Sequence, residues 1–276
     1  MRRPFKRAAP IYPPLRSRLE IRPKGLRQTP LAFNEWFTDS KLNTSAPSNY
    51  ALHAGAVHVW KVPLATTYAA LNDFTSLLSA AERERGSRFS FERDQARFIS
   101  CRASLRILLG RYTGIAPEKL VFRYEPQGKP ALAGVSGWQF NVSHSRDLAA
   151  IAISHYDAVG VDLELIDPQF PRDEVAPDIM APDELRDLAA LPVASQPPYF
   201  FQLWTLKEAL LKALGGGLSL DPRDIHIRLD ADLNPELISA PPDFTYSTLH
   251  RFSLEPGYAA ALAILARVSD LAFFSL

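Results

Sequence analysis

Val159-Gly160-Val161-Asp162-Leu163-Glu164 is an apolar run that carries two acids, and its reading decides the fold of the second half of the chain. A short, continuous apolar run rich in valine reads as a buried strand. Residues i and i+2 of a strand project from one face, so Asp162 and Glu164 stand side by side, close enough to share a cation. On a solvated face such a pair needs no further explanation. Here the valine, glycine and leucine neighbours argue for burial, and a buried carboxylate requires a partner.

About forty residues downstream, Trp204-Thr205-Leu206-Lys207-Glu208-Ala209-Leu210-Leu211-Lys212 reads as helix. Trp204, Glu208 and Lys212 recur at every fourth position and form one stripe. Taken alone, Glu208 and Lys212 are an ordinary exposed ion pair one helical turn apart. Set against the strand, Glu208 becomes a third carboxylate beside Asp162 and Glu164, with the Lys212 ammonium one turn away. Hard oxygen donors of this kind suit Mg²⁺, which keeps waters and commonly binds substrate phosphates as well.

Phe140-Asn141-Val142-Ser143-His144-Ser145 is expected to form a loop ahead of a strand at 148–154. Hydroxyls and an imidazole together are good phosphate ligands. A lone loop histidine is otherwise structural. A serine-hydrolase reading fails, because Gly134-Val135-Ser136-Gly137 lacks the G-x-S-x-G spacing. Arg85, Arg88 and Arg97 flank or begin the first long helix, and Lys129 lies in a Gly-Lys-Pro turn. Without further support these four are surface charges. Gly215-Gly216-Gly217-Leu218 has neither the Rossmann nor the P-loop pattern and reads as a helix stop.

Periodicity predicts further strands at 56–63, 120–124, 159–165, 224–229 and 258–266. It predicts long helices at 94–110, with Gly110 as the C′ residue, and at 199–214. Each half thus runs strand, acidic-basic segment, helix, strand, which hints at a duplication with a ligand cleft between the copies. The boundaries expected are a basic, proline-rich extension over 1–55, one subdomain over 56–157 and a second over 158–276.

The 276 residues suffice for one large domain or two small ones, and 47% apolar with 22% charged content is that of a globular protein. The run 259–266 is too short to cross a bilayer, and the Arg- and Pro-rich start lacks the apolar core of a secretory signal. Cys101 is the single cysteine, so no internal disulfide forms. A cytoplasmic location without membrane attachment is the expectation. The net charge of +1 conceals an asymmetry: residues 1–30 hold nine basic side chains and one acid (+8), leaving 22 basic and 29 acidic elsewhere (−7). An acidic core of this kind speaks against nucleic-acid binding. The prolines of the basic segment favour a solvated, disordered extension over a transit peptide.

Taken together the pieces resemble the surfactin-synthetase-activating, or Sfp-type, 4′-phosphopantetheinyl transferases. The matching stretches are Gly128-Lys129-Pro130, FNVSHS at 140–145, VGVDLE at 159–164, and FQLWTLKEALLK at 201–212 running on to Gly217-Leu218-Ser219-Leu220. Upstream, Glu82-Arg83-Glu84-Arg85, Arg88-Phe89, Asp94 and Arg97 look like the family's first-half signature. The resemblance implies an α+β fold of two similar subdomains related by a pseudo-two-fold, with the active site between them. It implies a monomer that moves the phosphopantetheine arm of coenzyme A onto a serine of an apo acyl or peptidyl carrier protein, with Mg²⁺ as cofactor. Asp162, Glu164 and Glu208 would hold the metal, Glu208 would also act as general base, and Lys212 would contact the pyrophosphate. Lys207 would lie near the phosphates. Ser143 and His144 would hold phosphates of coenzyme A, with Arg97 and Arg85 joining His144 on the 3′-phosphate. Lys129 and Pro130 would border the adenine. Glu82 departs from the family pattern, standing where relatives often carry a basic residue, as does Gly216.

Three rivals are weighed against this reading. A non-catalytic coenzyme A-binding or carrier-docking module would be expected to lose Glu208, Lys212 or one of the acids, and all are present. A metal-dependent phosphohydrolase of another fold would need more clustered His and Asp. A nucleic-acid-binding protein would need a basic core.

Overall fold

Strand alternation in the first half sends Trp60 and Val62 to one side of the chain and Val57 and Val59 to the other, so that segment must be covered on both faces. A computed structural model shows how. It describes residues 42–43, 46–47, 49–64, 67–126, 128–215, 220–230, 232–244 and 246–276. The strands are β1 (Leu42–Asn43), β2 (Ala56–Pro63), β3 (Phe122–Tyr124), β4 (Pro130–Leu132), β5 (Trp138–Ser145), β6 (Leu148–His155), β7 (Val159–Leu165), β8 (His226–Leu229), β9 (Pro235–Ser239), β10 (Thr248–Phe252), β11 (Tyr258–Ile264) and β12 (Asp270–Ser275). The helices are α1 (Tyr68–Leu77), α2 (Ala80–Ser87), α3 (Glu92–Thr113), α4 (Arg172–Ile179), α5 (Pro182–Ala190) and α6 (Gln196–Leu214). The α+β class expected from the sequence is the one observed.

One sheet has the order β1-β12-β2-β6-β5 and a second β10-β11-β7; β3-β4 and β8-β9 are hairpins. The two sheets face each other through an apolar layer of Val57, Val59, Ala150 and Ala152 against Val161, Leu163, Ala260 and Leu262. On the far side of the first sheet, α3 covers Trp60, Val62, Ile151 and Ile153 with Leu105, Leu108 and Leu109. On the far side of the second, α6 covers Ala259, Ala261 and Ala263 with Leu203, Leu206 and Leu210. Each half is therefore a helix on a sheet, and the edges β5 and β7 run beside each other where the halves meet.

Several expectations need correction. FNVSHS is not a loop but most of strand β5, paired with β6 from Trp138↔His155 to Ser145↔Leu148. The first long helix passes through Gly110 and ends at Thr113, with Gly114 as its left-handed cap at φ +72°. Gly110 is small for another reason: a Cβ there would lie 2.8 Å from the Ile115 carbonyl oxygen. The segment before residue 56 is not wholly an extension. Leu42 and Asn43 pair with Phe273 and Phe274, Leu52 is buried, and Tyr50 stacks on Trp60 at 6.4 Å. Residues 1–41, with the basic segment, and Gly216 to Ser219 lie outside the described residues. Among the described residues no helix is long and apolar enough to cross a membrane.

Candidate active site

Gly160, Asp162 and Glu164 share one face of β7, and α6 lies across that face. The approach is close because position 160 has no side chain: a Cβ there would fall 2.0 Å from the Ala209 carbonyl oxygen and 2.4 Å from the Ala213 nitrogen. The glycine thus lets the helix backbone settle onto the strand, bringing Glu208 and Lys212 alongside Asp162. Lys212 Nζ donates to Asp162 Oδ1 at 2.6 Å and to Ser143 Oγ at 3.1 Å, while Ser143 Oγ donates to Asp162 Oδ1 at 2.8 Å. Asp162 Oδ2 is buried and has no hydrogen-bond partner.

Strand β5 supplies the opposite wall. Val142, Ser143, His144, Asp162, Glu164, Trp204, Glu208 and Lys212 line one cavity of about 400 Å³. Three carboxylates share it with one ammonium, and two of the three, Glu164 and Glu208, hold their protons more tightly than free carboxyls. Glu164 is pushed up to about 7 by burial and then by the Asp162 charge, against the opposing pull of Ser145 and Lys212. Glu208 is raised by burial and by Asp162, with Lys212 opposing. His144 is lowered by burial, then by Lys212 and Arg97. Among the described residues no three His, Cys, Asp or Glu side chains converge as a ready-made metal cluster. The Lys212 ammonium forms an ion pair with Asp162 Oδ1.

The other site residues expected from the sequence are scattered. Arg97 stands near His144 but is held by Asp147 Oδ1 at 2.7 and 2.9 Å and by Asp94 at 3.3 Å. Arg85 is away from the acidic cavity. It lies over the Phe98 ring at 5.4 Å and lines a second cavity of about 460 Å³ with Arg102, Arg106 and Tyr124. Pro130 opens β4 opposite Tyr124. Lys129 reaches from that hairpin into the other half, donating to the carbonyls of Ala213 at 2.8 Å and Val159 at 3.3 Å. Burial lowers its ammonium to about 8, with Glu125 opposing.

Lys207 is brought nowhere near the cavity. Its side chain is 1% exposed, and its ammonium is enclosed by Glu184 Oε2 at 2.5 Å and the carbonyls of Ile179 at 2.9 Å and Pro222 at 3.0 Å. One residue along a helix is a turn of about 100°, so the neighbour of Glu208 faces the core. The signal was present: Phe200, Leu203, Lys207 and Leu210 form the buried stripe of α6. Sequence reasoning also missed Asn141 and Ser145, which bond to β7. Their signal was the period-two alternation Asn141, Ser143, Ser145 against Phe140 and Val142.

A helix-on-sheet pair with acids and one lysine gathered between the halves defines a class, and comparison with known families names it. Residues 158–263 match the profile of the 4′-phosphopantetheinyl transferase superfamily, and residues 63–156 match that of the 4′-phosphopantetheinyl transferase N-terminal region. The chain belongs to the 4′-phosphopantetheinyl transferase family, in its Sfp-like branch. It is 37% identical to the 4′-phosphopantetheinyl transferase HetI of Nostoc over 71% of this chain and 83% of that protein. It is 28% identical to the 4′-phosphopantetheinyl transferase Sfp of Bacillus subtilis over 68% of this chain and 83% of that one. Among solved structures, the holo-[acyl-carrier-protein] synthase of Thermotoga maritima aligns with 40% of this chain and 63% of its own length, at 26% identity and a TM-score of 0.34.

Proposed function

We propose that the cleft between β5, β7 and α6 transfers 4′-phosphopantetheine from coenzyme A to a serine of an apo acyl or peptidyl carrier protein, releasing 3′,5′-ADP. What carries the reading is one observation: a chain of this family gathers Asp162, Glu164, Glu208 and Lys212 around a single cavity. The serine oxygen attacks the β-phosphorus of coenzyme A and forms a new P–O bond. The bond from that phosphorus to the oxygen bridging the α-phosphate breaks, and the electron pair leaves with 3′,5′-ADP. Glu208 takes the serine proton. Burial and then the Asp162 charge raise its pKa, which makes its carboxylate a stronger base than a free one. Lys212, already oriented by Asp162 and Ser143, donates to the departing oxygen.

The residues fit a hard divalent cation. Asp162 keeps one buried oxygen without a partner, and Glu164 and Glu208 are both raised, by burial first and then by the Asp162 charge. Asp162, Glu164 and Glu208 would hold Mg²⁺, which when bound offsets the charge of the pyrophosphate. His144, with the Lys212 and Arg97 charges acting on it, suits an anionic group of coenzyme A remote from the reacting phosphorus. The direct test is incubation with coenzyme A, Mg²⁺ and a panel of apo carrier proteins, read by intact mass spectrometry. A mass gain of one phosphopantetheine, with 3′,5′-ADP released only when the carrier serine is present, is expected. ADP release without a carrier, or no gain across the panel, overturns the reading.

A further inference from the structure

The two sheets meet at β5 and β7, yet no backbone ladder joins these edges. Side chains take its place. Asn141 Oδ1 accepts the Val161 N–H at 3.0 Å, and Ser145 Oγ accepts the Leu165 N–H at 3.1 Å. Both bonds link residues 20 apart in sequence, so β5 and β7 run in the same direction and in fixed register. Between these pins lies the segment Asp162-Leu163-Glu164. Each of its carboxylates takes one further bond from the same strand face, Ser143 Oγ to Asp162 and Ser145 Oγ to Glu164 at 2.9 Å. Ser145 therefore serves twice: its oxygen fixes the backbone beyond Glu164, and its proton orients the Glu164 carboxylate. Asn141 touches neither acid and is buried, 7% exposed, where an amide has value only for the bond it makes.

We infer that Asn141 and Ser145 are positioning residues: they act as a side-chain ladder that sets where Asp162 and Glu164 stand relative to each other and to α6. This rests on the proposed role of those acids. An edge of β7 held only by β11 would leave the Val161 and Leu165 N–H groups, on either side of the Asp162–Glu164 segment, without these partners and the segment free to shift. Small shifts of ligand carboxylates are costly: losing an outer partner of a metal ligand typically weakens metal affinity or activity by 10–100-fold.

The test compares Ser145→Ala with Ser145→Thr, which keeps the hydroxyl. Mn²⁺ is titrated into full-length protein with saturating coenzyme A, and free Mn²⁺ is read by electron paramagnetic resonance. Ser145→Ala is expected to weaken Mn²⁺ binding about tenfold or more. Its melting temperature should stay near that of the unaltered protein, and coenzyme A binding without metal should be unchanged. Ser145→Thr should restore most of the Mn²⁺ affinity, and turnover under saturating coenzyme A should follow the same order. Asn141→Ala should fall with Ser145→Ala, lowering kcat more than it raises KM for coenzyme A; the serine pair carries the test if that variant does not fold. If Ser145→Ala binds Mn²⁺ and turns over normally, the inference is overturned while the proposed function stands. If the unaltered protein binds no Mn²⁺ with coenzyme A and modifies no carrier, it is the proposed function that fails.

Discussion

Helices α3 and α6 occupy matching places, and only one of them reaches the acids. Each follows a short helix whose Glu accepts a backbone N–H three residues back, Ser79 to Glu82 at 2.8 Å and Ala181 to Glu184 at 2.6 Å. Each such Glu is buried and holds a cation from the long helix: Arg102 and Arg106 bind Glu82, and Lys207 binds Glu184. The halves differ in what lies beneath the helix. Under α3 are Trp60 and Phe140, both almost fully buried, so that helix stands off the sheet on bulky side chains. Under α6 are Gly160, Ala259, Ala261 and Ala263, and the helix backbone comes down onto the strand. A glutamate side chain is short. It meets acids on a neighbouring strand only where the two backbones are close, so the three carboxylates gather in the half packed with small residues.

The largest effect that would break this comparison is chemical. Glu208→Gln keeps the shape of the side chain and removes the base, so kcat should fall by about 10²–10⁴-fold. Intact-mass turnover at saturating coenzyme A measures it, and near-normal rates would move the chemistry away from α6. Next come the buried ion pairs. Lys207→Met leaves Glu184 charged and buried, a change that costs about 3–5 kcal/mol in comparable pairs. Urea unfolding should show the loss, with coenzyme A affinity preserved in whatever fraction stays folded. The reverse pattern, intact stability with lost coenzyme A binding, would return Lys207 to the ligand site.

Packing comes third. Gly160→Ala should destabilise by about 1–3 kcal/mol or more, because the added methyl meets helix backbone rather than a movable side chain. Gly86→Ala, on α2 in the first half, would meet the Phe98 ring at 3.5 Å and the Ile99 side chain at 3.7 Å, both ordinary contacts, and should gain up to about 1 kcal/mol of helix propensity. Melting temperatures moving in opposite directions would confirm that the seat of α6 on β7, unlike that of α2, depends on contact at the backbone. The last effect, confined to alkaline pH, concerns the bridge between halves. Lys129 is lowered to about 8 in the folded chain from an ordinary 10.5. The unfolded chain then holds more protons between those values, so stability rises with pH from about 8 to about 10.5 and is flat below. Unfolding of Lys129→Met across that range should lack this rise; an unchanged slope would remove Lys129 as its source.

Much of the second half was legible because its elements are pure in type. The strand at 159–165 was read without error, since it is unbroken apolar sequence apart from its two acids. Helix α6 was readable except for its first turn, which carries Pro197 and Pro198, residues that a helix accepts only near its start. The Trp204-Glu208-Lys212 stripe followed from spacing alone. What failed was whatever depended on partners far along the chain. Strand β5 looked like a loop because its polar face points at another sheet edge rather than at water. Helix α2 looked like a bare charged stretch, though Ser79-Ala80-Ala81-Glu82 is a capping box. Lys207 was placed near the phosphates by its match to the family motif, and what holds it inside, Glu184 with the Ile179 and Pro222 carbonyls, comes from elsewhere in the chain. Strands β1 and β12 have no local signal for their parallel pairing.

Strand β12 also governs the order in which the molecule can assemble. It lies between β1 and β2, parallel to both, and its Phe274 packs against Trp60 at 5.0 Å and His58 at 4.8 Å. During synthesis, β2, β5 and β6 are made early, yet one edge of β2 stays open until Ser275 has left the ribosome. The half of the chain translated first is thus the half completed last, against the usual N-terminal-first order of folding. Closing so long a loop is slow, and until it closes β2 presents an unpaired edge and uncovered aromatic surface. A nascent chain stalled before β12 would be a client for chaperones rather than a folded half-enzyme.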